Sequence, residues 1–254
     1  MANVGRSPHG TVDAGEVARF AAMADEWWDP RGKMRPLHKL NPVRIAFIRD
    51  RTCMLHGRDP KALDCLKGLR ILDVGCGGGV LAEPLARLGA RVTGIDPAEE
   101  NVAAARLHAE KSGLAIDYRA ATIEELAAAG EIFDIVVASE VVEHVADLDL
   151  FVEHCAACIA PGGLMFVTTI NRTLKSFALA IIGAEYVLRW LPIGTHRWDK
   201  FVTPDELEDS LSAAGLSVVD EGGIVYHLPS GEWRRADDID VNYMMAAEKR
   251  IVLA

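Results

Sequence analysis

Ile71 to Gly79 reads ILDVGCGGG. The apolar run from Leu69 to Val74 has strand character and carries an acid, Asp73, near its end. It breaks into Gly75, Gly77, Gly78 and Gly79, and helical spacing resumes from Val80 to Leu88. Strand, glycine turn, helix is the opening of a nucleotide-binding α/β unit. Glycine allows a tight turn and lets a ligand lie against the backbone with no Cβ in the way. A second predicted strand, Arg91 to Ile95, ends in Asp96. A carboxylate about 20 residues past the glycines is placed to accept hydrogen bonds from ribose hydroxyls.

Outward from this turn, β and α patterns alternate. Strands are predicted at 69–74, 91–95, 115–119, 133–138 and 164–170, and helices at 79–88, 98–112, 122–128 and 147–159. Such alternation calls for an α/β fold with a parallel sheet covered on both faces. Ligands in these sheets bind beyond the carboxyl ends of the strands, the edge where Gly75, Asp96, Ser139 and Asn171 fall. Upstream, Glu16 to Trp28 has helical spacing with Phe20, Met23 and Trp27 on one side, and Pro30 and Gly32 end it. A second helix is predicted to Leu55, with Asn41 as N-cap and Pro42 in first position. Residues 1–60 therefore read as a tail and helical cap, and 61–254 as the sheet domain, with an insertion at 171–200. Pro204 to Ala214 is a further helix, with Thr203 and Glu206 at capping-box spacing. Strands near 216–227 and 241–248, joined through Pro229-Ser230-Gly231, point to an antiparallel ending.

The chain has 254 residues, 50% hydrophobic and 25% charged, which suits one large soluble domain. A net charge of -10 argues against nucleic acid as a partner, because phosphate binding needs a basic surface. The first residues have no signal-peptide pattern, and no apolar run approaches the ~20 residues of a spanning helix, so a cytoplasmic protein is expected. Five cysteines fit a reducing compartment. Cys155-x-x-Cys158 stands in the apolar pattern of a predicted helix with no second pair, which favours buried cysteines over redox or metal chemistry.

The dinucleotide pattern G-x-G-x-x-G fails here, because Val80 stands three positions after Gly77. The order present, Asp73-x-Gly75-x-Gly77-x-Gly79, resembles motif I of the class I S-adenosylmethionine methyltransferases. Narrower segments resemble the ubiquinone-biosynthesis O-methyltransferases. They are WWDPRGKMRPLHKLNPVRIAFI (Trp27 to Ile48), LHAEKSG (Leu107 to Gly113), GTHRWDKFVTPDEL (Gly194 to Leu207) and DVNYMMAAEK (Asp240 to Lys249). The resemblance implies a Rossmann-like, mostly parallel sheet with an antiparallel C-terminal strand beside strand five. It implies methyl transfer from S-adenosylmethionine to catechol-type hydroxyls of polyprenylated aromatics, namely 2-polyprenyl-6-hydroxyphenol and 3-demethylubiquinol. Rival readings are a methyltransferase of another hydrophobic phenol or of a carbon, and a non-enzymatic lipid-binding assembly factor. The resemblance assigns Arg44, Asp73, Gly75, Gly77, Asp96 and Ser139 to the cofactor, with Thr122 and Ile123 on its adenine side. As partners it implies the prenylated phenol or quinol, the inner face of the cell membrane, and other ubiquinone-biosynthesis proteins.

Glu140-Val141-Val142-Glu143-His144 directly follows a predicted strand on the ligand edge. On a helical backbone Glu140, Glu143 and His144 would share a face. Three readings stand open. One is a divalent-metal site, with Mg²⁺ expected from the carboxylate oxygens, since the E-x-x-E-H run resembles a proposed metal site of that family. Another is His144 as general base with Glu143 beside it. The third is a solvated helix start. Leu174 to Leu191 is an apolar stretch with only Lys175, Glu185 and Arg189 charged. It reads either as core helices under a lid or as a surface that takes a polyprenyl tail and touches the membrane.

Overall fold

The strand predicted ahead of the glycine turn is β1, Arg70–Val74. The computed structural model describes residues 10–29, 32, 34–178, 198–227 and 229–251. Within them the later strands are β2 Arg91–Asp96, β3 Asp117–Ala120, β4 Phe133–Ser139, β5 Ile159–Ile170, β6 Leu216–His227, β7 Glu232–Ala236 and β8 Asn242–Lys249. The α-helices are α1 Ala14–Ala21, α2 Arg35–His56, α3 Ala82–Arg87, α4 Glu99–Lys111, α5 Ile123–Ala128, α6 Leu148–Ala157, the single turn α7 Leu174–Ser176, and α8 Pro204–Ala213. The strands form one sheet in the order β3-β2-β1-β4-β5-β8-β6-β7. β1 to β5 run parallel, and β8 is inserted antiparallel between β5 and β6.

Side-chain alternation splits the core across the sheet. Ile71, Ile135, Val137, Leu164 and Phe166 join one apolar cluster with α2, α3 and α4. Their immediate neighbours Leu72, Val136, Ala138, Met165 and Val167 join another with α5, α6 and α8. Both faces are covered, so the central strands read as continuous apolar runs, as a parallel sheet requires. The Thr203–Glu206 capping box is present at the start of α8, and Thr122 forms a second with Glu125 at α5. All five cysteines are free and buried, Cys155 and Cys158 among them.

The structure corrects several details. The predicted helix 16–28 stops at Ala21 and continues as a 3₁₀ turn at Ala24–Glu26. α2 begins at Arg35, with Pro36 in its first turn, so Pro42 lies inside it. Asn41 is therefore not a cap, and its buried amide donates to the Val80 carbonyl at 2.9 Å. The turn Pro229-Ser230-Gly231 leads into β7, a short edge strand absent from the sequence reading, and not into the last strand. Of the apolar stretch 174–191, only Leu174 to Ala178 lie within the described residues. No helix among the described residues is long and apolar enough to cross a membrane.

Candidate active site

A cavity of about 940 Å³ opens at the carboxyl ends of β1, β2, β4 and β5. Asp96, Asn101, Thr122 and Ile123 line it on the β2 side, and Ile224, Tyr226, Trp233 and Asn242 on the β6–β7 side. Gly75, Arg44, Ser139, Glu140, Glu143 and His144 lie between, and α1 contributes Glu16 and Phe20 and its N-cap Asp13. The N-terminal segment is pinned across this cavity. Thr11 donates to Glu124 through its amide at 2.7 Å and its hydroxyl at 2.6 Å, and Lys200 reaches Asp13 at 2.9 Å.

On the β2 side, Asp96 is 7% exposed and accepts three hydrogen bonds. Gly77 N donates to Oδ2 at 3.0 Å, while Ala98 N and the Asn101 amide donate to Oδ1 at 2.9 and 3.1 Å. A carboxylate offers about four acceptor positions, so one remains open, on Oδ2. Burial raises the Asp96 pKa against the pull of these donors. Asp73 is buried with Oδ2 unpartnered, and burial, then the Asp96 charge, pushes it up to about 7. Gly75, at φ 68°, lines the cavity, whereas Gly77 lies under the Trp27 ring and does not. Thr122 spends its hydroxyl on the Glu125 amide, and Ser139 hydrogen-bonds Thr168 at 2.8 Å. This cradle fits a ribose-bearing cofactor: an open carboxylate position, a turn without Cβ, and an unpartnered acid in one cavity.

The Glu140–His144 corner is not helical from its start. Glu140 has φ 57°, a left-handed conformation that non-glycine residues seldom adopt. Val142–His144 form a 3₁₀ turn. The three side chains consequently go to three separate partners. Glu140 pairs with the buried Arg44 at 2.7 Å and also takes the Thr168 hydroxyl at 3.3 Å. Glu143 accepts from the Thr169 hydroxyl at 2.8 Å, and His144 Nδ1 meets Glu16 at 3.0 Å. The expected three-ligand Mg²⁺ site is not assembled, and no such group of three occurs among the described residues.

Burial, then the Glu140 charge, pushes Glu143 up to about 7. Burial is the largest influence on His144 and opposes its charge, but the Glu16 hydrogen bond and the Glu143 and Glu16 charges together outweigh it and the His144 pKa rises. The same hydrogen bond lowers the Glu16 pKa. Glu16 and Thr169 were not singled out in the sequence. Glu16 carried a signal, as an acid four residues before Phe20 on a face otherwise apolar. Thr169, inside an apolar strand run, carried none.

A methyltransferase-domain family profile matches residues 46–221. The curated ubiquinone biosynthesis O-methyltransferase of Chelativorans sp. is 62% identical over 239 residues, covering 94% of each chain. That of Methylobacterium sp. is 60% identical over 239 residues, covering 94% of this chain and 96% of its own. Among solved structures, magnesium protoporphyrin IX methyltransferase from Synechocystis PCC 6803 with bound SAM aligns with a TM-score of 0.58 at 16% identity, covering 98% of this chain and 100% of that one. The N-methyltransferase NodS of Bradyrhizobium japonicum, in complex with S-adenosyl-L-homocysteine, also gives 0.58, at 18% identity over 92% and 97% of the two chains. The structural likeness shows the class I methyltransferase fold. The sequence likeness shows more: this chain belongs to the ubiquinone biosynthesis O-methyltransferase family and is an S-adenosylmethionine-dependent enzyme.

Proposed function

We propose that this chain methylates catechol-type hydroxyls of polyprenylated aromatics, 2-polyprenyl-6-hydroxyphenol and 3-demethylubiquinol. The observation that carries the reading is one continuous cavity. It joins the Asp96 cradle to an apolar chamber walled by Tyr226 and Trp233, with the acid–base corner between them. Asp96 takes the ribose, Gly75 gives the backbone room to approach, and Arg44, Asp73, Thr122, Ile123 and Ser139 complete the cofactor side. S-adenosylmethionine supplies an already activated methyl group, so the protein's task is alignment and removal of one proton.

His144 takes that proton. Glu16 only accepts, so the hydrogen sits on Nδ1 and the neutral ring keeps its lone pair on Nε2. A carboxylate behind the imidazole holds this tautomer and stabilises the charged ring once the proton arrives. Glu143, buried beside it, adds negative charge that favours the imidazolium. Glu140 is occupied with Arg44, and no step here runs through a metal ion.

The apolar stretch 174–191 receives the prenyl tail and touches the inner face of the cell membrane. Lys175 lines the cavity, while Leu174 and Phe177 beside it are 82% and 40% exposed. Burying a large apolar side chain is worth about 1.5–3 kcal/mol, so a few from 174–191 suffice for reversible binding that survives salt. Turnover of a prenylated catechol with methyl-labelled S-adenosylmethionine tests the main reading, and absence of labelled methyl ether would end it. Ile181→Asp with Ile182→Asp tests the membrane contact: liposome binding should fall while a short soluble catechol is still methylated. Wild-type liposome binding by that double variant would rule the contact out.

A further inference from the structure

The tryptophan pair of the N-terminal segment has no part in the chemistry above, yet it is built into the glycine turn. Trp27 is 7% exposed. A Cβ added at Gly77 would stand 2.3 Å from its Cη2, and one added at Gly78 would stand 2.3 Å from its Cγ. Glycine at these two positions makes room for the indole. The Trp27 Nε1–H donates to Asn101 Oδ1 at 2.9 Å, and Asn101, 1% exposed, donates through Nδ2 to Asp96 Oδ1 at 3.1 Å. The direction of this chain is forced. An indole N–H can only donate, so the amide oxygen must face it, which turns the amide NH₂ toward the carboxylate. Trp28 secures the other side, donating to the Gly78 carbonyl at 2.8 Å and stacking on His108 with ring centroids 3.5 Å apart.

We propose that Trp27 is a positioning residue for the cofactor: through Asn101 it fixes the Asp96 carboxylate so that its open Oδ2 position faces the ribose. Affinity for S-adenosylmethionine then depends on the N-terminal cap being in place. Without Trp27 the Asn101 amide is free to flip, and a flipped amide sets oxygen against carboxylate. The inference rests on the cofactor reading above and adds the route by which a residue of the cap controls it.

Calorimetry with S-adenosylhomocysteine on the full chain tests it, using wild type, Trp27→Phe, Asn101→Ala and the double variant. Trp27→Phe keeps the ring and removes the N–H. It should weaken binding about tenfold, the scale of leaving one buried polar group without its partner. Asn101→Ala should weaken it at least as much, and the double variant no further than Asn101→Ala alone. A merely structural role would give effects that multiply in the double variant. In turnover, the loss should fall on KM for S-adenosylmethionine more than on kcat. Thermal unfolding of each variant identifies misfolding; if Trp27→Phe does not fold, Asn101→Ala decides. Wild-type affinity in Asn101→Ala, or multiplying losses, would overturn the proposal. Failure of wild type itself to bind would sink the cofactor reading, a separate outcome.

Discussion

The glycine turn and the Glu140–His144 corner leave neighbouring strands, β1 and β4, and face the same cavity, yet they are built in opposite ways. The turn is satisfied close at hand: Gly77, Ala98 and Asn101 all bond Asp96, and the Cys76 amide bonds the Ile95 carbonyl. The corner spends each polar side chain on a distant partner, Arg44 of α2, Thr169 of β5 and Glu16 of α1. The cap reaches the cradle one step removed, as Trp27 bonds Asn101 and Trp28 bonds the Gly78 carbonyl, while Asp96 keeps its own backbone donors. In the corner a cap carboxylate, Glu16, is itself the partner of the ring that takes the proton. Binding should therefore be separable from chemistry, region by region.

The widest separation is expected at His144. His144→Ala should lower kcat by about 10²–10⁴, the range for a removed general base, with S-adenosylhomocysteine affinity near wild type. Calorimetry and single-turnover kinetics check both halves; equal losses in binding and turnover would erase the distinction. Asp96→Asn is the converse. It should weaken S-adenosylhomocysteine by about 1–3 kcal/mol, and kcat at saturating cofactor should fall far less.

Each region also holds one carboxyl, Asp73 or Glu143, that burial pushes far above its ordinary range, and pH should sharpen the comparison. Asp73 and Glu143 are each pushed up to about 7, from ordinary values of 3.8 and 4.5. A carboxyl with a raised folded-state pKa binds more protons folded than unfolded. Its contribution to stability is complete below the unfolded value and is lost as pH rises to about 7. Asp73→Asn and Glu143→Gln should therefore each raise the thermal midpoint of the ligand-free protein at pH 8, by several degrees, with the gain gone near pH 4. In function they should part: Asp73→Asn loses cofactor affinity and Glu143→Gln loses turnover.

Glu16→Gln probes the corner's longest reach. The Glu16 hydrogen bond raises the His144 pKa, so removing it should move the acid limb of the kcat–pH profile to lower pH. The loss at neutral pH should be well short of that in His144→Ala. An unmoved limb would mean that the N-terminal helix only covers the cavity.

The same contrast explains what could be read from the sequence. The turn, Asp96, the alternating elements and the antiparallel ending follow from local spacing, because strand and helix periods and glycine placement are local properties. The residue types of the corner point to chemistry, but its geometry is not legible in their spacing. Assuming a helix put Glu140, Glu143 and His144 on one face, and the left-handed Glu140 undoes that placement. Asn41 and Pro42 looked like a helix start because a proline is usually read that way, while Pro36 had already supplied it. β7 was missed because Glu232–Ala236 carries two arginines and a glutamate on an edge that needs no apolar alternation. Asn101 was legible in principle, as a polar residue on the buried face of α4 beside Val102 and Ala105.

Glu140 offers the smallest effect and the finest test. A left-handed non-glycine residue costs about 1 kcal/mol that glycine would recover. Glu140→Gly alone should nonetheless destabilise the protein, because Arg44 is 2% exposed and would lose its carboxylate. The recovered strain becomes visible once the cation is gone. In an Arg44→Met background, Glu140→Gly should stabilise by about 1 kcal/mol, read from urea midpoints at constant slope. Stabilisation there and destabilisation in wild type would show that the left-handed turn is kept for the Arg44 pair. Destabilisation in both backgrounds would mean that the corner holds Glu140 through Thr168 instead, and that Arg44 is incidental to its conformation.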